Sequence, residues 1–143
     1  MMFPIAKLRS TTRSSRRVSR RGATTVEFAL TAPLLFLILF GSLELSHANM
    51  VFNVTEAAAF EGAREGIVPG ATAAECQAAA QRILGISKIS GANVTVNPGN
   101  LNTSTQSIVV TITVPYARNT IVTPFFTNGL QIQRSCTLDR EQL

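Results

Sequence analysis

The residues of this chain that could do chemistry are few and far apart. His47 is the sole histidine, and Cys76 and Cys136 are the two cysteines. A zinc site is built from about four donors, mostly His and Cys at close spacing, and one histidine with two distant cysteines does not supply it. Glu61 and Glu65 stand four apart, which would set two carboxylates on one face of a helix. With Arg64 between them, the pattern is that of a solvated, ion-paired face or of a contact between subunits. No Gly-rich phosphate loop ending in Lys-Ser/Thr occurs, and no Gly-x-Ser-x-Gly elbow. The expectation is a protein that is not an enzyme and has no cofactor, no metal and no small-molecule substrate. Asn53, Asn93 and Asn102 begin Asn-x-Ser/Thr sequons, which matter only in a glycosylating host.

One carboxylate is oddly placed. Glu27 lies in "RRGATTVEFAL", near the start of the most apolar run in the chain. A charge at bilayer depth costs ~2.5–3.5 kcal/mol on insertion scales, so membrane helices avoid it. From Phe28 to Leu43 no charge follows, and Ala23 to Leu43 is 21 residues, enough to span ~30 Å of hydrocarbon as a helix. A chain of 143 residues has little room to enclose "PLLFLILF" on every side. The run therefore reads as one membrane helix.

The net charge of +5 suggests a nucleic-acid binder until the charges are located. Lys7, Arg9, Arg13, Arg16, Arg17, Arg20 and Arg21 all precede the apolar run, and no acid precedes Glu27. After Gly22, six basic residues face eight acidic ones, a balance of −2. The basicity belongs to a leader. Lys and Arg beside an apolar segment stay on the cytoplasmic side, so the reading is a lipid bilayer partner, no nucleic acid, an N-terminus in the cytoplasm and the remainder outside it.

Three export readings compete for this leader. "LSHA" offers Ser46 and Ala48 as the small residues of a secretory cleavage site, which would release a binding module after Ala48, although Glu27 and Glu44 interrupt that pattern. "SRRVS" is a twin-arginine match without convincing flanks. "RRG|ATTVEF" resembles the site cut by prepilin peptidases: basic residues, Gly22 before the cut, Ala23 after it, and Glu27 fifth in the product. Phe28 matches the pattern of tight-adherence (Flp-type) pilins. That resemblance implies a subunit-register role for Glu27, with its carboxylate facing the freed amino group of a neighbour. Pairing of this kind offsets the burial of the charge. A bitopic anchor carrying a small binding domain unrelated to pili, with Gly22 uncut, is the remaining alternative.

The elements follow from periodicity. "ELSHANMVFNVTEAAAFEGAREG" places Leu45, Ala48, Phe52, Ala59 and Ala63 at helical spacing, so the membrane helix continues as an amphipathic one to Gly66. Pro33 is expected to kink it and Gly41 to loosen it. The order "GATTVEFALTAPLL", Glu44, "EGAREG" is similar to the TadE-like family, minor pseudopilins of the tight-adherence pilus, over residues 20 to 70. The resemblance implies a structural part in pilus assembly or a related secretion apparatus. It implies a single pass of the bacterial inner membrane, with prepilin peptidase, other pilins or pseudopilins and pilus assembly proteins as partners. Glu44 and Arg64 become candidate helix-contact residues.

Past Pro69-Gly70, Thr72 and Glu75 suggest a capping box opening a second helix, with Cys76, Ala79, Ala80, Ile83 and Leu84 on one face. "ANVTV", "SIVVTITVPY" and "LQIQRSCTL" alternate as strands, although Arg134 falls on the apolar face of the last. The predicted fold class is α+β, pilin-like: a long N-terminal transmembrane and amphipathic helix, and a second helix packed on a small antiparallel sheet. The predicted parts are a leader 1–22, a span 23–43, a helix extension 44–66 and an extracytoplasmic head 67–143. Cys76 and Cys136 both fall on inner faces, so either a disulfide or two buried free thiols fits. "PYARNTIVTPFFTNG" reads as a loop folded onto the core, or as an exposed Phe125-Phe126 patch used in assembly.

Overall fold

A computed structural model describes residues 20–102, 104–121, 124 and 126–140. The leader as far as residue 19, and Phe125 of the Phe125-Phe126 pair, lie outside the described residues. The element order is α1 (Arg20–Gly66), α2 (Ala73–Ile86), β1 (Asn93–Asn97), β2 (Ser107–Pro115), a 3-10 turn (Tyr116–Arg118) and β3 (Gln131–Asp139). This is an α+β fold with a long apolar N-terminal helix, a second helix and an antiparallel sheet. The chain divides into two compact units between Phe36 and Leu37.

The first unit is helical over its described residues from Arg20. Its side chains from Gly22 to Phe36 are exposed apart from half-buried Ala32. α1 continues through Pro33. The Thr31 hydroxyl donates to the carbonyls of Glu27 (3.0 Å) and Phe28 (3.3 Å), so this polar group is satisfied within the apolar stretch.

In the second unit β2 is the central strand, antiparallel to β1 and β3, with Val94 opposite Ile112 and Val110 opposite Cys136. Its alternation is complete: Ile108, Val110, Ile112 and Val114 are each 0% exposed, while the intervening residues are half-buried. Strand periodicity thus sends one row into the core, where α1 contributes Val51, Ala58, Ala59 and Ala63 and α2 contributes Ala80 and Leu84. Tyr116, expected as the last strand residue, instead opens the 3-10 turn and is buried.

Of the expected inward face of α1, Ala59 and Ala63 are buried and Ala48 and Phe52 are half-buried against the core, while Leu45 turns out. Leu45 is 58% exposed, and the inward line runs through Gly41, Val51, Thr55, Ala58, Gly62 and Gly66. The reason is close packing. A side-chain carbon on Gly62 would meet the Cys76 carbonyl at 3.0 Å and Ala80 Cβ at 3.1 Å. On Gly66 it would meet Ile108 Cδ1 at 2.6 Å and Cys76 Sγ at 2.9 Å. A helix held this near presents its smallest residues inward and turns its bulky ones out.

α2 begins as its sequence foretells. The Glu75 N–H donates to the Thr72 hydroxyl and the Thr72 N–H donates to the Glu75 carboxylate at 2.8 Å, completing the capping box. Cys76, Ala79, Ala80 and Leu84 are buried and Ile83 is half-buried.

Candidate functional site, an apolar helix and the carboxylate at its end

Gly22, Ala23 and Glu27 occupy exposed helical positions in the first unit. Nothing lies within 4 Å of where a Gly22 side chain would be. Large apolar residues around and beyond Glu27 are strongly exposed, with Phe28 at 70%, Leu30 at 73% and Leu35 at 66%. The described residues from Gly22 include a helix long and apolar enough to cross a membrane. Exposed apolar surface on this scale calls for lipid or partner contacts, and a helix satisfies its own backbone in either setting.

Glu44, one residue past the apolar run, forms a polar site that joins α1 to the segment after the 3-10 turn. Its Oε1 accepts the Thr127 N–H at 2.7 Å and the Phe126 N–H at 3.0 Å, and Oε2 lies 3.2 Å from the latter. The Thr127 hydroxyl donates to Oε1 as well. One turn earlier, Gly41 is buried under the Phe126 ring, and a side-chain carbon there would sit 3.1 Å from Phe126 Cε2. Gly41 therefore admits a ring where the sequence suggested only a loosened helix. The Tyr116 hydroxyl donates to the Glu44 carbonyl at 3.1 Å, and His47 Nδ1 lies 3.3 Å from the same phenol. Burial pushes the Tyr116 phenol up, and the Glu44 carboxylate adds to the shift. The segment after the 3-10 turn is thus fastened to α1 through Phe126 and Thr127, and Phe126 is 56% exposed while doing so.

The other nominated residues are spread through the second unit. Arg64 Nη1 lies 3.6 Å from Glu61 Oε2 on the surface of α1, and Arg82 of α2 reaches the same carboxylate at 4.0 Å. Pairs this exposed contribute ~0–1 kcal/mol, which fits a solvated face. Cys76 is buried and Cys136 half-buried, and both are free thiols. Burial pushes both thiols up, Cys76 with help from Glu65 and Glu75 and Cys136 with help from Glu56. Thiols so shifted are poor nucleophiles. Arg134, puzzling on the inner face of β3, stacks its guanidinium carbon 3.4 Å from the centroid of the Phe52 ring. Among the described residues no three His, Cys, Asp or Glu gather into a group that could hold a metal ion.

Sequence reasoning nominated Glu44 but missed its partners Gly41, Tyr116, Phe126 and Thr127. The available signal was a glycine three residues before the glutamate on the same helical face. No curated protein and no solved structure matches the chain. A family model described as "TadE-like protein" matches residues 22–64, from the glycine before Ala23 to Arg64. The helical N-terminal part of this chain is thus similar to that family, as its order of motifs implied.

Proposed function

We propose that this protein is a minor pseudopilin of a tight-adherence pilus or related secretion apparatus, acting by assembly rather than catalysis. The carrying observation is the coincidence of the TadE-like match over residues 22–64 with an apolar helix whose side chains are exposed from Gly22. In this reading the leader ends at Gly22, residues 23–43 cross the cytoplasmic membrane, 44–66 extend the helix outside it, and 67–143 form the extracytoplasmic head. A prepilin peptidase cuts between Gly22 and Ala23. Helix packing between subunits then replaces lipid contacts as the pilus forms, and the Glu27 carboxylate meets the new amino group of a neighbour.

The test is the N-terminal residue of the protein from native membranes, read by intact mass and terminal sequencing. A chain beginning at Ala23 is the expected result. A chain beginning at Asn49 would mean a secreted module, and an uncut chain in a host that has the peptidase would mean a plain anchor. Glu27→Gln is expected to leave insertion intact and to reduce pilus output, and normal output by that variant would sink the register role.

A further inference from the structure

The contacts along α1 order the head from one end to the other. Gly41 meets Phe126, Glu44 meets Thr127 and Tyr116, Gly62 meets Cys76 and Ala80, and Gly66 meets Ile108. α2 therefore starts far from the apolar run and ends near it. The turn after α2 and the turn after β2 both lie at the end that follows Leu43. Between them and α1 is a pocket of about 230 Å³, lined by His47, Ser87, Lys88, Arg118, Asn119 and Thr120 among others, with no acidic residue in its wall.

Its walls are fixed. The Asn119 side chain accepts the Ser90 N–H at 2.7 Å and donates to the carbonyls of Ser90 (3.0 Å) and Pro115 (3.1 Å), tying the two turns together. Lys88 occupies a left-handed conformation, φ 55°, where a helix ordinarily ends on Gly or Asn. The end of α2 accounts for a cation at Lys88, but not for Arg118 beside it. The Tyr116 phenol gives its proton to the Glu44 carbonyl, so His47 Nδ1 donates to the phenol oxygen and Nε2 of the neutral ring faces the pocket as an acceptor, suited to a hydroxyl of an occupant. Among the described residues no ion pair engages Lys88 or Arg118. This cluster stands in a part of the chain whose balance is −2, six basic against eight acidic residues after Gly22.

A second observation names the source of the anion. Ile121 at 79% and Ile86 at 75% are the most exposed large apolar residues described, and they adjoin Thr120 and Ser87 of the pocket wall. Cations, hydroxyls and amides flanked by bare aliphatic side chains are what a membrane surface recruits. His47 follows Leu43 by four residues, a rise of ~6 Å, which is headgroup depth for a helix whose apolar run ends there. We propose that this pocket binds the phosphate of an anionic membrane lipid, with Lys88 and Arg118 around the phosphate, His47 accepting from a headgroup hydroxyl, and Ile86 and Ile121 against the acyl boundary. The proposal rests on the membrane placement given above.

The test takes the full chain in detergent micelles and reads bound lipid by native mass spectrometry. Dioleoylphosphatidylglycerol is titrated against dioleoylglycerol, which has the same chains and no phosphate. Retention of the phosphatidylglycerol is expected to be ~10- to 30-fold better, the scale of two cations at a membrane surface, and to fall by most of that factor in Lys88→Gln/Arg118→Gln. Arg82→Gln, a surface cation away from the pocket, is expected to keep it. Ile86→Ser/Ile121→Ser leaves every cation in place and is expected to weaken retention of both lipids, which keeps the idea testable should the charge variant fold poorly. Equal retention of the two lipids, or equal loss in Arg82→Gln, would overturn the proposal. Displacement by inorganic phosphate at concentrations matching the lipid would overturn the lipid assignment in favour of a soluble anion. A chain that stays dispersed without detergent would instead overturn the membrane placement, so the two failures are told apart.

Discussion

Glu44 gathers the Phe126 and Thr127 amides and the Thr127 hydroxyl onto one carboxylate. Hydrogen bonds to a charged group contribute ~1.5–3 kcal/mol each when buried, and less here because the site is half-exposed. Glu44→Ala is expected to cost about 1–3 kcal/mol of stability, read as a lower unfolding midpoint of the full chain in micelles, and Glu44→Gln less, since one acceptor oxygen remains. Faster hydrogen exchange at the Thr127 amide should accompany both. The cysteines supply a second test at this scale. Their thiols are raised from an ordinary value of 9.0, chiefly by burial. A raised value favours the neutral form, so the contribution is fully present below pH 9.0 and is lost as pH rises through the folded values. At neutral pH both should react slowly with a maleimide, half-buried Cys136 before Cys76. The sequence marked Glu44 and both cysteines as noteworthy, but which groups meet them depends on partners as much as 83 residues away, which no local pattern carries.

Helices and strands were more legible than their facing. The capping box at Thr72 and Glu75 and the alternation of β2 depend on neighbours in sequence, and both stand as read. Thr72→Ala should cost ~1 kcal/mol. The Glu75 carboxyl is held below its ordinary 4.5, first by the Thr72 backbone N–H and then by its side chain. Its support of α2 is therefore present above pH 4.5 and disappears as pH falls through the folded value, seen as a loss of helical circular dichroism. The inward face of α1 was misread at Leu45 because large apolar residues dominate a hydrophobicity pattern, whereas the interface selects for small ones. Glycine substitutions separate these effects. Gly66→Ala should destabilise by about 1–3 kcal/mol through overpacking against Ile108 and Cys76. Gly85→Ala, with nothing within 4 Å, should stabilise α2, by ~0.5–1 kcal/mol, both measured by thermal unfolding.

For the whole molecule, the sequence conveyed class and direction: an apolar helix first, an α+β unit after it. What it could not convey was the clamp at Glu44 or the pocket at Lys88, both assembled from turns distant in the chain. The clearest expectation at this scale concerns insertion. Leu35→Arg, at an exposed position deep in the apolar run, should cost ~2.5–3.5 kcal/mol of insertion free energy, measured as a fall in the carbonate-resistant fraction. The fastening of Phe126 and Thr127 to α1 has a mechanical corollary. To sink further into hydrocarbon, the helix would have to draw Glu44 inward with two backbone amides and a folded unit attached, or strip that carboxylate of its donors. Either course is uphill. On the membrane placement proposed above, this fastening would limit how deep the helix can slide, and a pull on α1 at Glu44 would be borne first by its hydrogen bonds to Phe126, Thr127 and Tyr116.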